Sequence, residues 1–182
     1  MKIRFVTSNE HKFLEVKRML SKVAEVIWVK MEYPEVQSSS LEEVASFSAR
    51  WLEDKVEKPF FLEDSGLFIE ALNGFPGPFS SYVFKTIGNN GILKLMEGIS
   101  NRKATFKSVI ALMEQDLHLF IGSVQGSIAE EVRGGGWGFD PIFIPDGSNG
   151  LTFGELGERK DEFSHRGRSV TKLLNYLSGR NS

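Results

Sequence analysis

Three short β-rich segments alternate with two amphipathic helical patterns in the first third of the chain. The first helical pattern follows Asn9 as its N-cap, and the second follows Ser40, which has capping-box spacing to Glu43. This β-α-β-α-β order favours an α/β sheet whose ligands lie beyond the carboxyl ends of its strands. The predicted strands are KIRFVT (2–7), EVIWV (25–29) and PFFLED (59–64), and the predicted helices lie at residues 10–21 and within SSSLEEVASFSARWLEDKV (38–56).

The rest of the chain changes the pattern. ALNGFPGPF (71–79) concentrates Gly and Pro into a fixed turn, and two short helices are predicted after it, at 79–88 and 90–99. Residues 105–113 and 117–132 then predict a long antiparallel hairpin, which makes the sheet mixed. A further strand is predicted within GGGWGFDPIFIP (134–145), and a final helix at about 165–178.

Composition restricts the functions that need to be considered. At 182 residues and 41% hydrophobic content, the chain can bury a real core as one domain or two intimate lobes. A net charge of −2 and a pI near 6.0 argue against general nucleic-acid binding. The absence of cysteine excludes thiolate catalysis and Cys-ligated zinc. The chain has no signal-peptide pattern and no run of about 18 apolar residues, so we expect a soluble cytoplasmic protein that binds no membrane.

An acidic pair, Glu63-Asp64, follows the apolar triplet of the third predicted strand. Glu32 and Glu35 lie in another loop after a strand, and oxygen ligands from separate loops suit Mg²⁺. Strand alternation points Glu63 and Asp64 to opposite faces, so one can serve a site while the other binds structure or supports a metal from outside its coordination shell. A solvated turn or a helix cap is the alternative interpretation of this pair.

The segment TSNEHKFLEV groups Thr7, Ser8, Asn9 and Lys12 around the first turn of a helix. Free backbone N–H groups, the positive end of the helix dipole and a lysine can together cradle phosphate. The Walker A pattern is absent. An ordinary helix cap with a surface lysine is the alternative.

Two segments near the C-terminus combine glycine, aromatic and basic residues. In GGGWGFDP, Trp137 and Phe139 offer flat faces for stacking a base, and Asp140 before Pro141 is held extended; a tight turn with core aromatics is the alternative. In ERKDEFSHRGRS, a short polar loop is predicted to carry a group of hydrogen-bond donors into the last helix. These donors are Lys160, Ser164, His165 and Arg166, with Ser164 available to cap the helix; a structural histidine is the alternative for His165.

TSNEHK, YPEVQ, FFLEDSGL with ALNGFPGPF, GGGWGFDPIFIP and KDEFSHRGRS, in this order, resemble the inosine triphosphate pyrophosphatase family over essentially the whole chain. The resemblance implies an elongated mixed α/β fold, a mixed sheet flanked by helices, with two lobes within one domain (1–182) and the nucleotide in a central cleft. It also implies a homodimer. The implied reaction is Mg²⁺-dependent cleavage of ITP, dITP and XTP between the α- and β-phosphates.

Carried over by position, the resemblance implies roles for individual residues. Asp64 is the catalytic, metal-associated aspartate, Glu35 is the metal-binding glutamate, and Ser65 is a substrate contact. Donors such as Arg166 are expected to meet the 6-oxygen of the purine. The implied substrate-binding residues are Thr7, Ser8, Asn9, Glu10, His11, Lys12, Ser65, Trp137, Gly138, Phe139, Asp140, Lys160, His165 and Arg166.

One position departs from the family pattern. Ser48 stands where the family often carries a phosphate-binding lysine; either Arg50 or Lys55 substitutes for it, or the contact is lost. Two alternatives to the family assignment stay open. One is a pyrophosphatase of the Maf type, whose SxSPRR-like N-terminal signature is missing here, and the other is a non-catalytic nucleotide-binding protein.

Overall fold

The computed structural model describes residues 1–179 as a mixed α/β protein. Its strands are β1 (Lys2–Val6), β2 (Glu25–Val29), β3 (Phe60–Ile69), β4 (Pro76–Gly77), β5 (Lys103–Met113), β6 (Leu117–Ile128) and β7 (Phe143–Pro145). They form a sheet of order β2-β1-β3-β5-β6-β7, with β4 paired to β3. β1 is parallel to β2 and β3, whereas β4 is antiparallel to β3 and β7 to β6. The predicted mixed sheet is therefore confirmed.

Helices flank the sheet, and most of them begin where the sequence predicts. They are α1 (Glu10–Leu20), α2 (Leu41–Leu52), α3 (Ser80–Thr86), α4 (Gly88–Leu95), α5 (Phe153–Leu156), α6 (Lys160–Phe163) and α7 (His165–Ser178). The Asn9 side chain accepts a hydrogen bond from the N–H of Lys12 and caps α1, and Ser40 caps α2 in the same way. Within residues 1–179, every helix is too short or too polar to span a lipid bilayer.

The chain divides into two compact units, each with its own apolar core. The first unit comprises residues 1–64, residues 108–122 and the chain from Arg166 onward. Its core is formed by β1, α1, α7 and the adjoining parts of β2, β3 and β5. The second unit comprises residues 65–107 and 123–165, with a core rich in phenylalanine. The unit boundaries fall inside β3, β5 and β6, so these three strands contribute to both units.

The sequence predicted that the acidic pair ends a strand. This is wrong, because β3 continues through Ser65 and Gly66 to Ile69. A β-carbon at Gly66 would collide with the backbone carbonyl of Gly77 in the neighbouring β4. The small pair Ser65-Gly66 is therefore the place where another strand approaches, and is not a turn. Glu63 and Asp64 consequently occupy the middle of a ten-residue strand and are both buried.

The predicted polar loop is wrong at Lys160, which begins α6, whereas α7 confirms the predicted final helix and begins at His165. Before them, a capping box between Thr152 and Glu155 starts α5. Helices of only four residues bury too few apolar side chains to show a clear 3.6-residue period in the sequence.

Candidate active site

Glu63 is the centre of a buried ionic network in the first unit. Lys12 Nζ lies 2.9 Å from Glu63 Oε2 and also donates a hydrogen bond of 3.0 Å to the Glu63 carbonyl. Arg166 Nη2 lies 3.3 Å from Glu63 Oε1, and the Ser108 hydroxyl donates to the same oxygen at 2.7 Å. Burial alone would raise the pKa of Glu63, but the charges of Arg166 and Lys12 and these hydrogen bonds lower it to about 2. Glu63 is therefore ionised across the physiological range.

Arg166 connects this network to α1. Its Nη1 lies 2.6 Å from Glu15 Oε2 while its Nη2 faces Glu63, and its side chain is only 1% exposed. Burial opposes the charge, but Glu63 and Glu15 raise the pKa of the guanidinium above its usual value. Both terminal nitrogens of Arg166 thus contact carboxylates of the protein, so the predicted contact of Arg166 with a purine oxygen stays a prediction.

Asp64, the neighbour of Glu63, is in the opposite electrostatic situation. It is 6% exposed, and its Oδ2 has no hydrogen-bond partner within residues 1–179. Burial raises the pKa of Asp64 to about 7; the charge of Lys12 opposes this shift, and the charges of Glu35 and Glu63 add to it. Two adjacent carboxylates thus have pKa values near 2 and near 7, and such a split is typical of sites that perform acid–base chemistry.

The turn from Thr7 to Lys12 is built by local hydrogen bonds. The N–H of Asn9 donates to Thr7 Oγ1 at 3.1 Å, and the N–H of Lys12 donates to Asn9 Oδ1 at 3.2 Å. Thr7 is buried, whereas Ser8, Glu10 and His11 are exposed. The first turn of α1 therefore presents polar groups to solvent, and Lys12 reaches back to the acidic pair.

Glu35 lies on the exposed loop between β2 and α2. Its charge adds to the raised pKa of Asp64. The pKa of Tyr33 is raised too, first by burial and then by the charges of Asp64 and Glu35. The two acids that were assigned to a metal therefore lie close enough to influence each other. Within residues 1–179, no group of three or more acidic or histidine side chains is arranged as a metal site.

The second unit contains a separate buried ion pair. Lys160 Nζ lies 2.9 Å from Asp140 Oδ2, and both side chains are 7% exposed. The ammonium also lies 5.1 Å from the centre of the Trp137 ring and 5.7 Å from that of Phe153. The Trp137 N–H donates to the same Asp140 oxygen at 3.3 Å. One carboxylate therefore fixes both a lysine and the backbone of a partly exposed tryptophan.

Two other predicted nucleotide contacts of the second unit, one a stacking ring and one a hydrogen-bond donor, are directed into its core. Phe139 is 4% exposed and meets Phe84 edge to face, so it does not offer the open stacking face that the sequence predicted. His165 is 2% exposed and stacks on Phe106 at 4.2 Å. Trp137 remains the candidate stacking face, and the Gly138 carbonyl next to it accepts a hydrogen bond from the Asn89 side chain.

The first unit thus brings together Lys12, Asp64 and Arg166, and the second unit brings together Trp137, Asp140 and Lys160. Sequence reasoning missed Glu15 and Ser108. Ser108 interrupts the apolar run of β5, which was a usable signal, because a hydroxyl in a buried strand needs a partner. Ser65, the other predicted contact, is partly exposed on β3.

Ser48 does not replace the family lysine. It is fully buried, and its hydroxyl donates to the carbonyls of Pro34 and Val44. Lys55 is engaged as well, because its ammonium donates to the Trp51 carbonyl and lies 4.0 Å from the centre of the Trp51 ring. Ser48 instead joins α2 to the loop that carries Glu35.

Fold and site together define a mixed α/β protein in which the middle of a central strand carries a buried acidic pair with divided pKa values. The particular family is given by the sequence. The Ham1 family model matches residues 3–176, and the chain belongs to the Ham1 family.

Relatives match along nearly the full length. A protein named dITP/XTP pyrophosphatase from Korarchaeum cryptofilum is 59% identical over 95% of this chain and 94% of its own. Another of that name from Thermococcus kodakarensis is 54% identical over 97% of both chains. A solved HAM1 protein from Coxiella burnetii is 32% identical with a TM-score of 0.85, covering 98% of this chain and 99% of its own. The predicted family is therefore confirmed.

Proposed function

We propose that this protein hydrolyses dITP, XTP and ITP to the nucleoside monophosphate and pyrophosphate, and so removes non-standard purine nucleotides from the cytoplasmic pool. The observation that carries the proposal is the acidic pair of β3. Asp64 has a buried oxygen without a partner within residues 1–179 and a pKa of about 7, beside Glu63, which stays ionised. The names of the relatives from Korarchaeum and Thermococcus support the substrate class.

The residues fit a magnesium ion, which prefers one or two carboxylates and completes its shell with water and substrate phosphate. The partnerless Asp64 Oδ2 is the observation that supports this fit, and Glu35 is the second acid. Glu35 and Asp64 would hold Mg²⁺, which would neutralise the charge that develops on the leaving pyrophosphate.

The protein's own groups bind the triphosphate and activate water. The backbone N–H groups at the start of α1 and the Lys12 ammonium bind phosphate oxygens. Asp64 orients the attacking water and accepts its proton. Glu63 and Arg166 hold Lys12 and β3 in place. No covalent nucleophile is needed for such a transfer.

The second unit offers groups suited to an oxidised purine. Trp137 supplies a stacking face, and Lys160 and Asp140 supply a donor and an acceptor for the base edge. Adenine carries an amino group where hypoxanthine and xanthine carry an oxygen, so a donor placed for that oxygen is left unmet by ATP. An unmet buried donor costs about 1–3 kcal/mol.

The test is release of pyrophosphate from a panel of dITP, XTP, ITP, GTP, ATP and modified pyrimidine triphosphates with Mg²⁺. Pyrophosphate and monophosphate from dITP and XTP, with ATP slower by at least about tenfold, is the expected result. Preference for modified pyrimidines would favour the Maf-type alternative. Tight dITP binding without any product would favour the nucleotide-binding alternative.

We also propose a homodimer, which is the usual state that the family resemblance implies. Large apolar side chains are exposed around α3, and contiguous exposed apolar surface is typical of interaction sites. Phe79 is 42% exposed and Tyr82 is 71% exposed. Light scattering should give twice the chain mass, and Tyr82→Glu should lower that mass toward the monomer.

A further inference from the structure

Trp28 on β2 contacts both flanks of the turn from Thr7 to Lys12. Its indole Nε1–H donates a hydrogen bond of 2.8 Å to the Thr7 carbonyl, at the start of the turn. Its ring stacks on Phe13, the residue directly after Lys12, with centroids 4.7 Å apart and planes 11° apart. One side chain therefore fixes the turn at the end of β1 and at the first turn of α1.

The contact with Thr7 completes a set of bonds around one residue. The Thr7 N–H donates to the Val29 carbonyl at 3.1 Å, and its side-chain oxygen accepts from the Asn9 N–H. The Trp28 indole N–H binds the remaining backbone polar group of Thr7, its carbonyl, which belongs to the peptide bond between Thr7 and Ser8. The direction in which the following N–H groups point therefore depends on Trp28.

The stack with Phe13 acts on the other flank. Phe13 is 7% exposed and belongs to the core of the first unit, where the partly buried Trp28 packs against it. Because Phe13 follows Lys12 on the same helix, holding Phe13 against Trp28 fixes the rotation of α1 about its axis, and with it the direction in which the Lys12 side chain leaves the helix. Lys12 in turn lies 2.9 Å from Glu63.

Trp51 on α2 is a matched comparison within the same unit. It is 38% exposed, and its ring is covered on one side by the Lys55 ammonium. That contact involves no residue of the turn or of the acidic pair. The two tryptophans thus differ in whether they touch the turn.

We infer that Trp28 is a positioning residue for the triphosphate, which acts by holding the Thr7–Lys12 turn in its binding geometry. The inference rests on the proposed function, because that function assigns the turn to phosphate. Loss of the indole donor should weaken binding of every ligand with the same phosphate chain to the same degree, whatever its base. It should leave the proton transfer at Asp64 nearly unchanged.

The experiment compares Trp28→Phe, which keeps an aromatic ring but removes the N–H donor, with Trp51→Phe. For Trp28→Phe we expect KM for dITP and XTP to rise by about three- to tenfold, the range for one lost hydrogen bond. The inhibition constant of inorganic tripolyphosphate should rise by the same factor, and kcat should stay within about twofold. Trp51→Phe should leave all of these values unchanged.

Several outcomes would overturn the inference: equal effects of the two substitutions, a fall in kcat at constant KM, or a KM change for only one base. If Trp28→Phe does not fold, Phe13→Leu tests the same clamp, since it removes the stack and leaves the indole in place; an unchanged KM there would count against the role. If wild type releases no pyrophosphate, the proposed function fails. Calorimetric binding of tripolyphosphate to wild type and Trp28→Phe then decides the inference alone, and equal or absent binding would reject it.

Discussion

The two units bury charge in different ways. In the second unit one carboxylate, Asp140, faces one ammonium, Lys160, and aromatic rings surround the pair. In the first unit the network holds more acid than base. Its carboxylates are Glu15, Glu63 and Asp64, and its cations are Lys12 and Arg166.

This difference indicates what each unit can accept. Lys12 and Arg166 both form ion pairs with Glu63. The neighbouring Asp64 carboxylate is buried, and burial favours its protonated form. A bound divalent cation or an incoming proton relieves that situation, whereas a neutral molecule does not. The balanced pair of the second unit makes no such demand, and its aromatic walls suit an uncharged, flat group. This contrast supports the proposal that the charged phosphate chain binds in the first unit and the base in the second.

The largest effect is expected when the unbalanced carboxylate is removed. Asp64→Asn keeps the side-chain volume but abolishes both a metal ligand and the proton acceptor, so kcat for dITP should fall by about a thousandfold or more, which corresponds to about 4 kcal/mol. Asp54→Asn, on an exposed residue, is the control and should retain wild-type kcat. If Asp64→Asn kept a third of the wild-type rate, the role of Asp64 would be wrong.

The next effect concerns stability and compares the two ion networks directly. Glu63→Gln removes one of the two carboxylates that contact the fully buried Arg166, whose guanidinium cannot release its proton, and also removes the carboxylate of Lys12, so unfolding free energy should drop by about 3–5 kcal/mol. Asp140→Asn should cost less, because an ammonium that loses its carboxylate can release a proton. Urea unfolding of both variants at pH 7 measures the difference. Equal losses would mean that the two networks are held alike.

The sequence predicted contacts between residues that are close along the chain, and it failed for contacts between residues that are far apart. The caps at Asn9 and Ser40 and the amphipathic faces of α1 and α2 are local patterns, and they were predicted correctly. The length of β3 was not, because its continuation past Asp64 is set by the approach of Gly77 to Gly66. Arg166 and Glu15 are 151 residues apart, and nothing local indicates that they pair. The acidic pair was visible in the sequence, but the partners that separate its pKa values were not.

The third prediction uses pH. The pKa of Asp64 is about 7 in the folded protein against an ordinary value of 3.8, so the folded state binds more protons than the unfolded state between these values. The contribution of Asp64 to the unfolding free energy is therefore largest below about pH 4 and is lost as the pH rises to about 7. With a chelator present, Asp64→Asn should be more stable than wild type by about 2–4 kcal/mol at pH 8.

The comparison requires the whole pH series. The two proteins should be nearly equal in unfolding free energy at about pH 4, and the advantage of Asp64→Asn should grow between about pH 5 and 7. Urea unfolding at each pH gives the curve. A constant difference across the series would mean that Asp64 is not held in an environment that opposes its charge.

The smallest effect tests whether the second unit needs its balanced pair in one position. Gly136 has a φ of +82°, and a β-carbon there would lie 2.7 Å from Asp140 Oδ2, whereas a β-carbon at Gly135 would meet nothing within 4 Å. Gly136→Ala should therefore displace the carboxylate that holds Lys160 and the Trp137 backbone, and lower kcat/KM for XTP by about tenfold, or 1.4 kcal/mol. Gly135→Ala, one residue away, should change kcat/KM for XTP little.

Tripolyphosphate inhibition should be the same in both variants, because that ligand has no base. If Gly136→Ala weakened tripolyphosphate as much as XTP, the second unit would be acting on the phosphates, and the division of roles between the two networks would be wrong.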